Sequence, residues 1–264
     1  MLEIVVFAES QSDQRDICGI ADRILLAHSP DDWDERENVA SPELARCRSW
    51  VGLDDGETFF DLHRYKERAG RNPRHFARRP DGESGGYDYA LIRIALQLCV
   101  EAAAKRPEIR GLFLIRDMDA QAEARTTSAE DAKAAGSDEF TMIFARPDPC
   151  KEAWLLHGFI AKGRAEENRL TEAKKELHFD PTTEADRLRA TNEGELRNSK
   201  RVLKFLTADA DARRDECWEK TPLRKLWERG ARTGLSTFCE QIETVLLPAI
   251  PELKRCERAG LYKK

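Results

Sequence analysis

Three short apolar runs set the strongest limit on the fold of this chain. They lie at residues 3–8 (EIVVFA), 111–115 (GLFLI) and 140–144 (FTMIF), and polar residues follow each of them. Nearly continuous apolar runs of this length are typical of strands that are buried on both faces. The runs therefore predict a parallel sheet that is covered by helices.

Helical spacing of apolar residues fills the intervals between these runs. After the first run, Ile17, Ile20 and Ile24 recur at helical spacing, and Ser12 or Asp13 is suited to cap that helix. Residues 87–106 and 151–160 show the same periodicity. The alternation predicts an α/β fold with a small parallel sheet flanked by helices, over residues 1–163. Residues 164–264 read as a helical C-terminal region.

The segment at about residues 28–86 lacks a clear period and is predicted to be an insertion with little regular structure. Within it, residues 63–79 (HRYKERAGRNPRHFARR) hold seven Lys or Arg residues against the single acid Glu67. This basic segment could lie along a nucleic-acid backbone, with Tyr65 or Phe76 stacking on bases. The alternative is a solvated loop whose charges pair with acids elsewhere in the chain.

Composition narrows the class of protein. The formal net charge is −5, so nucleic-acid binding would need a local basic patch or a metal site. We expect no membrane association, because no apolar run is long enough to span a bilayer. The seven cysteines are scattered with no CxxC pair, which argues against a zinc site or a disulfide framework and favours a reduced, cytoplasmic protein. No phosphate-binding GxxxxGK[ST] motif is present.

Carboxylates stand at the ends of the three predicted strands. Glu9 and Asp13 follow the first, Asp117 and Asp119 follow the second, and Glu152 follows the third. A lone Asp-x-Asp is weak evidence, because acids often begin helices. The conjunction is more informative, since the carboxyl ends of parallel strands meet at one sheet edge. Oxygen ligands of this kind predict a hard divalent cation, Mg²⁺ or Mn²⁺.

These acids carry a resemblance to the TOPRIM domain of topoisomerases, primases and OLD-family nucleases. ESQSD at residues 9–13 resembles the Glu-Gly-x-x-[Glu/Asp] turn of small stand-alone TOPRIM-like proteins from bacterial defence loci. PCKEAWLL at residues 149–156 resembles their Pro-Cys-x-Glu-x-Trp-Leu-Leu stretch. The resemblance covers roughly residues 1–27 and 87–162. One departure is Ser10, which stands where these turns carry Gly.

The resemblance implies a Mg²⁺-dependent nuclease. In that reading Glu9, Asp117 and Asp119 hold a cation that polarises a scissile phosphate and activates water. Asp13 or Glu152 would hold a second cation. The resemblance also implies a role in bacterial anti-phage defence.

A basic side chain near the acids would neutralise developing charge, and Lys151 and Arg116 are the candidates by position in the sequence. The implied partners are DNA or RNA and, by analogy with stand-alone relatives, a partner ATPase. A homo-oligomer is left open.

Two other functions stay open at this point. A non-catalytic, TOPRIM-like interaction subunit would use its helical tail to dock on a partner ATPase. Primase or strand-passage chemistry would use the same fold, but a topoisomerase needs a catalytic tyrosine on a further domain. The chain has only four tyrosines and no recognisable domain of that kind.

Overall fold

A single parallel sheet organises the molecule. The computed structural model describes residues 1–28, 42–69, 86–119, 121–134 and 140–253. Among these residues the sheet has five strands: β1 (Leu2–Ala8), β2 (Arg48–Val51), β3 (Phe60–Asp61), β4 (Ile109–Ile115) and β5 (Thr141–Ala145). Their order is β2-β1-β4-β5, and β3 pairs with the end of β1 beyond β2. The predicted fold class, α/β with a small parallel sheet flanked by helices, is confirmed.

Alternate residues of β1 face two different cores. Ile4, Val6 and Ala8 pack into one, and Val5 and Phe7 pack into the other. All five side chains are buried. Because both faces are covered, the strand reads as a continuous apolar run rather than as an alternation of apolar and polar residues.

Helices cover both faces of the sheet. The face of Ile4 is covered by α1 (Gln11–Leu26) and α6 (Lys151–Gly158), whereas the face of Val5 is covered by α4 (Gly86–Ala103) and α5 (Ala122–Ala134). The short helices α2 (Pro42–Cys47) and α3 (Tyr65–Ala69) adjoin β2 and β3. The predicted helices at 87–106 and 151–160 are thus present and differ only at their ends. Within the described part of the chain, every helix is too short or too polar to span a bilayer.

The described residues of the segment at 28–86 form regular structure, which the sequence did not predict. β2 and β3 both come from it and pair with β1. With four and two residues, these strands are too short to show a period. Buried Phe60 packs edge-on against Phe7, with ring centroids 5.5 Å apart, so the segment also supplies part of the core.

The C-terminal helices belong to the same core as α1 and α6. They are α7 (Gly163–Leu177), α8 (Ser199–Thr207), α9 (Asp211–Glu219), α10 (Leu223–Arg229) and α11 (Leu235–Gln241). Trp154 of α6 stacks on Phe238 of α11, with ring centroids 5.2 Å apart, and so packs α6 against α11. Gly158 lies so close to the Cys217 backbone that a Cβ there would collide with it. The region after residue 163 therefore completes the core on this face of the sheet.

Candidate metal centre

Backbone pairing continues beyond the ends of β4 and β5 and builds the site. The Arg116 amide donates to Ala145 O (3.1 Å), the Met118 amide to Pro147 O (2.9 Å) and the Asp119 amide to Pro149 O (2.7 Å). These bonds keep the segment after β4 beside the segment that leads into α6. Asp117 is therefore held next to the first turn of α6.

Three side chains converge at this position. Ligand atoms of Asp117, Cys150 and Glu152 all lie within 4.8 Å of one another. An Asp117 carboxylate oxygen accepts a hydrogen bond from the Lys151 amide at 3.0 Å. Glu152 Oε2 is buried and has no hydrogen-bond partner among the described residues. A buried carboxylate oxygen without a partner is costly, so the site is suited to a bound cation.

Electrostatics at Asp117 point the same way. The pKa of Asp117 is raised to about 8, most by burial and then by the neighbouring carboxylates Glu152, Asp13 and Glu9, in that order. The hydrogen bond from the Lys151 amide opposes this rise. Negative charge at this edge is therefore concentrated beyond what the nearby protein groups neutralise, which is the environment that a divalent cation stabilises.

The donor set fits a metal ion. Asp117 and Glu152 supply carboxylate oxygens and Cys150 supplies a sulfur. Burial, followed by Glu152 and Asp117, raises the pKa of the Cys150 thiol. Its sulfur also lies 2.9 Å from Ser199 Oγ. The sequence had not singled out Cys150, because a single cysteine without a paired spacing gives no metal signal.

Glu9 lies at the sheet edge, where its carboxylate pairs with the guanidinium group of Arg116. Arg116 donates to Glu9 at 2.5 Å and to Asp88 at 2.7 Å. Ser10 follows with φ −152°, an extended conformation that any residue adopts, and its hydroxyl caps α1 by accepting from the Asp13 amide. The departure from Gly at this turn therefore imposes no backbone strain.

Asp13 pairs with the buried ammonium group of Lys151. Lys151 Nζ lies 2.6 Å from Ser12 Oγ, 2.9 Å from Asp13 Oδ1 and 3.2 Å from Asp16 Oδ2. Lys151 is buried and Asp16 is 0% exposed. The ammonium group thus makes one hydrogen bond, to Ser12, and two ion pairs, to Asp13 and Asp16. Lys151 therefore joins α1 to α6 and does not present a free charge to a substrate; Asp16 was not anticipated from the sequence.

Asp119 is not part of the Asp117 ligand group, although it lines the same cavity as Asp117. Its backbone has φ +47°, in the left-handed region, so the extended alternation that would aim both aspartates at one point stops before it. Its carboxylate accepts from Arg125 at 3.0 Å, and the side chain is 54% exposed. Asp119 thus belongs to an ion-pair network that also contains Asp88 and Arg116.

A cavity of about 130 Å³ adjoins the Asp117 side of the site. Its lining includes Asp117, Cys150, Asn198, Ser199 and Lys200. Glu152 is the largest of the influences that raise the pKa of Lys200, so this ammonium lies within electrostatic reach of the group. Sequence reasoning missed Lys200, because 49 residues separate it from Lys151 and only folding brings α8 to this edge.

Tyr65 and His157 are buried and have structural roles. Tyr65 is buried and meets Tyr87 edge-on at 5.9 Å, so it has no ring face available for stacking on a base. Residues 70–79, with Phe76, lie outside the described residues. His157 is fully buried and bonds to Thr182 O and Thr233 Oγ1, so it is a structural histidine.

Comparison with known proteins assigns no family to this arrangement. Protein-family models, curated proteins and solved structures were compared with the chain, and none of them matches.

Proposed function

We propose that the protein is a divalent-metal-dependent nuclease that hydrolyses phosphodiester bonds. One observation carries the proposal: Asp117 and Glu152 converge at the sheet edge with no salt-bridge partner among the described residues, and a cationic side chain, Lys200, lies within electrostatic reach. Carboxylates that can bind a divalent cation, next to an ammonium group, are typical of sites that catalyse phosphoryl transfer.

Each residue has a separable task in this proposal. A cation bound by Asp117 and Glu152, Mg²⁺ or Mn²⁺, would polarise a phosphate oxygen and lower the pKa of a bound water. Lys200 would neutralise charge that develops on the phosphate during attack. The Lys151 amide fixes the Asp117 carboxylate through its 3.0 Å hydrogen bond. Lys151 Nζ is given no part in the chemistry, because it bonds to Ser12 and pairs with Asp13 and Asp16.

The TOPRIM resemblance supports the same chemistry and adds a role for three further acids. Under it, Glu9 and Asp119 complete the first cation site and Asp13 serves a second. Each of these acids has a basic partner: Arg116 for Glu9, Arg125 for Asp119 and Lys151 for Asp13. A two-cation site would therefore require these pairs to exchange partners, whereas the Asp117–Glu152 pair needs no such exchange.

DNA or RNA is the proposed substrate class. Two carboxylates and an ammonium group recognise a phosphodiester without selecting the sugar. A role in bacterial defence against phage rests on the resemblance alone.

The test is cleavage of plasmid DNA and of total RNA with Mg²⁺, with Mn²⁺ or with EDTA. We expect metal-dependent cleavage by the parent chain and its loss in Asp117→Asn. Removal of one principal ligand typically costs several orders of magnitude in rate, so residual activity should fall at least about 100-fold. Glu228→Gln is the matched control, since Glu228 forms an exposed pair with Arg224 on α10. Equal cleavage by parent and Asp117→Asn would refute the mechanism.

Asp119→Asn separates the geometry from the resemblance. If the Asp117–Glu152 pair suffices, Asp119→Asn retains most of the cleavage activity. If the Asp-x-Asp pair of the resemblance acts as a unit, the variant loses activity as fully as Asp117→Asn.

A non-catalytic interaction subunit is the second candidate. The observation in its favour is that Glu9, Asp13 and Asp119 are all paired with basic side chains, as structural acids are. In that case the protein would co-purify with a stoichiometric partner, such as an ATPase, and no metal would induce cleavage. Nicking by the isolated chain on addition of Mn²⁺ alone would exclude this candidate.

A further inference from the structure

The sulfur atom in the ligand group bears on which cation the site selects. Cys150 Sγ belongs to the same group as the Asp117 and Glu152 oxygens, all within 4.8 Å of one another. Ligands of one cation lie at most about 4.5 Å apart, the sum of a metal–sulfur and a metal–oxygen distance. The three atoms therefore need only small side-chain shifts to reach one ion.

Backbone geometry fixes the sulfur in this position. Cys150 is the N-cap residue of α6, with φ −155° and ψ 173°, and makes no side-chain capping bond. Ser199 Oγ, in the first turn of α8, lies 2.9 Å from its sulfur. Cys150 is 9% exposed, so little solvent competes for the sulfur. A thiol that does not cap its helix and does not face bulk water can bind a metal ion while the Ser199 hydroxyl group donates to its sulfur.

An unpartnered oxygen in the same group points independently to a bound cation. Glu152 Oε2 is buried and lacks a hydrogen-bond partner among the described residues. A protonated thiol offers that oxygen only a weak hydrogen bond. A cation shared by the sulfur and the two carboxylates would satisfy it fully.

We infer that Cys150 is a metal ligand and that the site takes a divalent transition-metal cation, such as Mn²⁺, Co²⁺ or Zn²⁺, in preference to Mg²⁺. The inference rests on the metal site of the proposed nuclease. Mg²⁺ prefers oxygen ligands and dehydrates reluctantly, whereas borderline cations accept thiolate sulfur together with carboxylates. On binding, the Sγ–H bond breaks, the proton leaves to solvent and a metal–sulfur bond forms, with no change of oxidation state. Lys200, which lines the adjoining cavity, offsets the added negative charge.

The test is Co²⁺ titration of the EDTA-treated full chain, without nucleic acid. We expect the parent to develop the near-ultraviolet absorption band of a thiolate bound to Co²⁺. Cys150→Ser should lack the band but still bind Co²⁺ through the two carboxylates, as a shift of the melting temperature. The matched control is Cys99→Ser, another buried cysteine, which packs on the opposite face of the sheet. This control should keep the band.

Cation preference gives a second readout. In the parent, the midpoint for stabilisation by Zn²⁺ or Mn²⁺ should lie well below that for Mg²⁺, and Cys150→Ser should narrow this ratio by roughly tenfold or more. Cys150→Ala keeps the inference testable if the serine variant folds poorly, because it removes the sulfur without adding a hydroxyl group.

Three outcomes would overturn the inference: Co²⁺ binding by the parent with no thiolate band, a band that persists in both Cys150 variants, or no binding of any cation. Because cleavage is not measured, binding with the band in a chain that cuts no nucleic acid would uphold the metal ligand and reject only the nuclease.

Discussion

Two groups of carboxylates at the same sheet edge differ in how their charge is balanced. Asp13 and Asp16 both pair with the buried ammonium group of Lys151, which also bonds to Ser12. Asp117 and Glu152 have a backbone amide, a thiol and an unpartnered oxygen. The first is the complete group, because a cationic side chain pairs with both of its acids. The second is the incomplete group, because neither of its acids has a salt-bridge partner among the described residues, and we expect its acids to be the ones that bind a ligand.

Loss of the cation in the complete group should have the largest effect on stability. Lys151→Met keeps the length of the side chain but leaves Asp13 without a salt-bridge partner among the described residues and Asp16, which is 0% exposed, with only the exposed Arg15. Removing one partner of a buried ion pair costs about 3–5 kcal/mol in the free energy of unfolding. Urea denaturation would measure the loss, and an unchanged midpoint would show that Lys151 does not join α1 to α6.

Removing a negative charge from the incomplete group should change the stability in the opposite direction and increase it. Because the pKa of Asp117 is raised to about 8 in the folded chain, its carboxyl group favours folding below pH 4 and loses that contribution as the pH rises through 8. In EDTA, Asp117→Asn should therefore become more stable than the parent towards pH 8, by about 1–3 kcal/mol. Parallel stability curves from pH 4 to pH 8 for the two proteins would refute this view. Added Mn²⁺ should reverse the order, because only the parent retains the ligand.

The smallest effect on stability should come from the exposed cation beside the incomplete group. Lys200→Met should change the free energy of unfolding by less than about 0.5 kcal/mol, since Lys200 is exposed and forms no salt bridge within the described residues. The same variant should lower cleavage strongly if Lys200 neutralises a phosphate. A variant that unfolds easily yet cleaves normally would place Lys200 with the structural cations.

The sequence predicted the part of this comparison that depends on local pattern. The three apolar runs became β1, β4 and β5, and the acids after them do meet at one edge. The pairings could not be predicted, because Arg125 reaches Asp119, and Lys151 reaches Asp16, only after folding. Whether an acid binds a cation or a neighbouring base is decided by those tertiary contacts.

The sequence analysis also did not predict β2, β3 or the place of Cys150 in the ligand group, for different physical reasons. β2 and β3 are stabilised by pairing with β1 rather than by a pattern of their own, so their short segments carry no signal. Cys150 could not be predicted as a ligand, because its neighbours Asp117 and Ser199 are distant from it in the sequence. Metal-binding cysteines are recognised in a sequence by paired spacings such as CxxC, and Cys150 has no such pair.

The shared core of the sheet and the C-terminal helices sets the order in which the chain can mature during synthesis. β1 leaves the ribosome first, but its partner β4 follows about a hundred residues later, and helices beyond residue 163 cover one of its faces. Contacts between residues so distant in sequence form late, because the ends of a long loop must first be brought together. Ser199, which holds the Cys150 sulfur, emerges later still. In a nascent chain, Asp117, Cys150 and Glu152 therefore reach their final arrangement only after α8 has been synthesised.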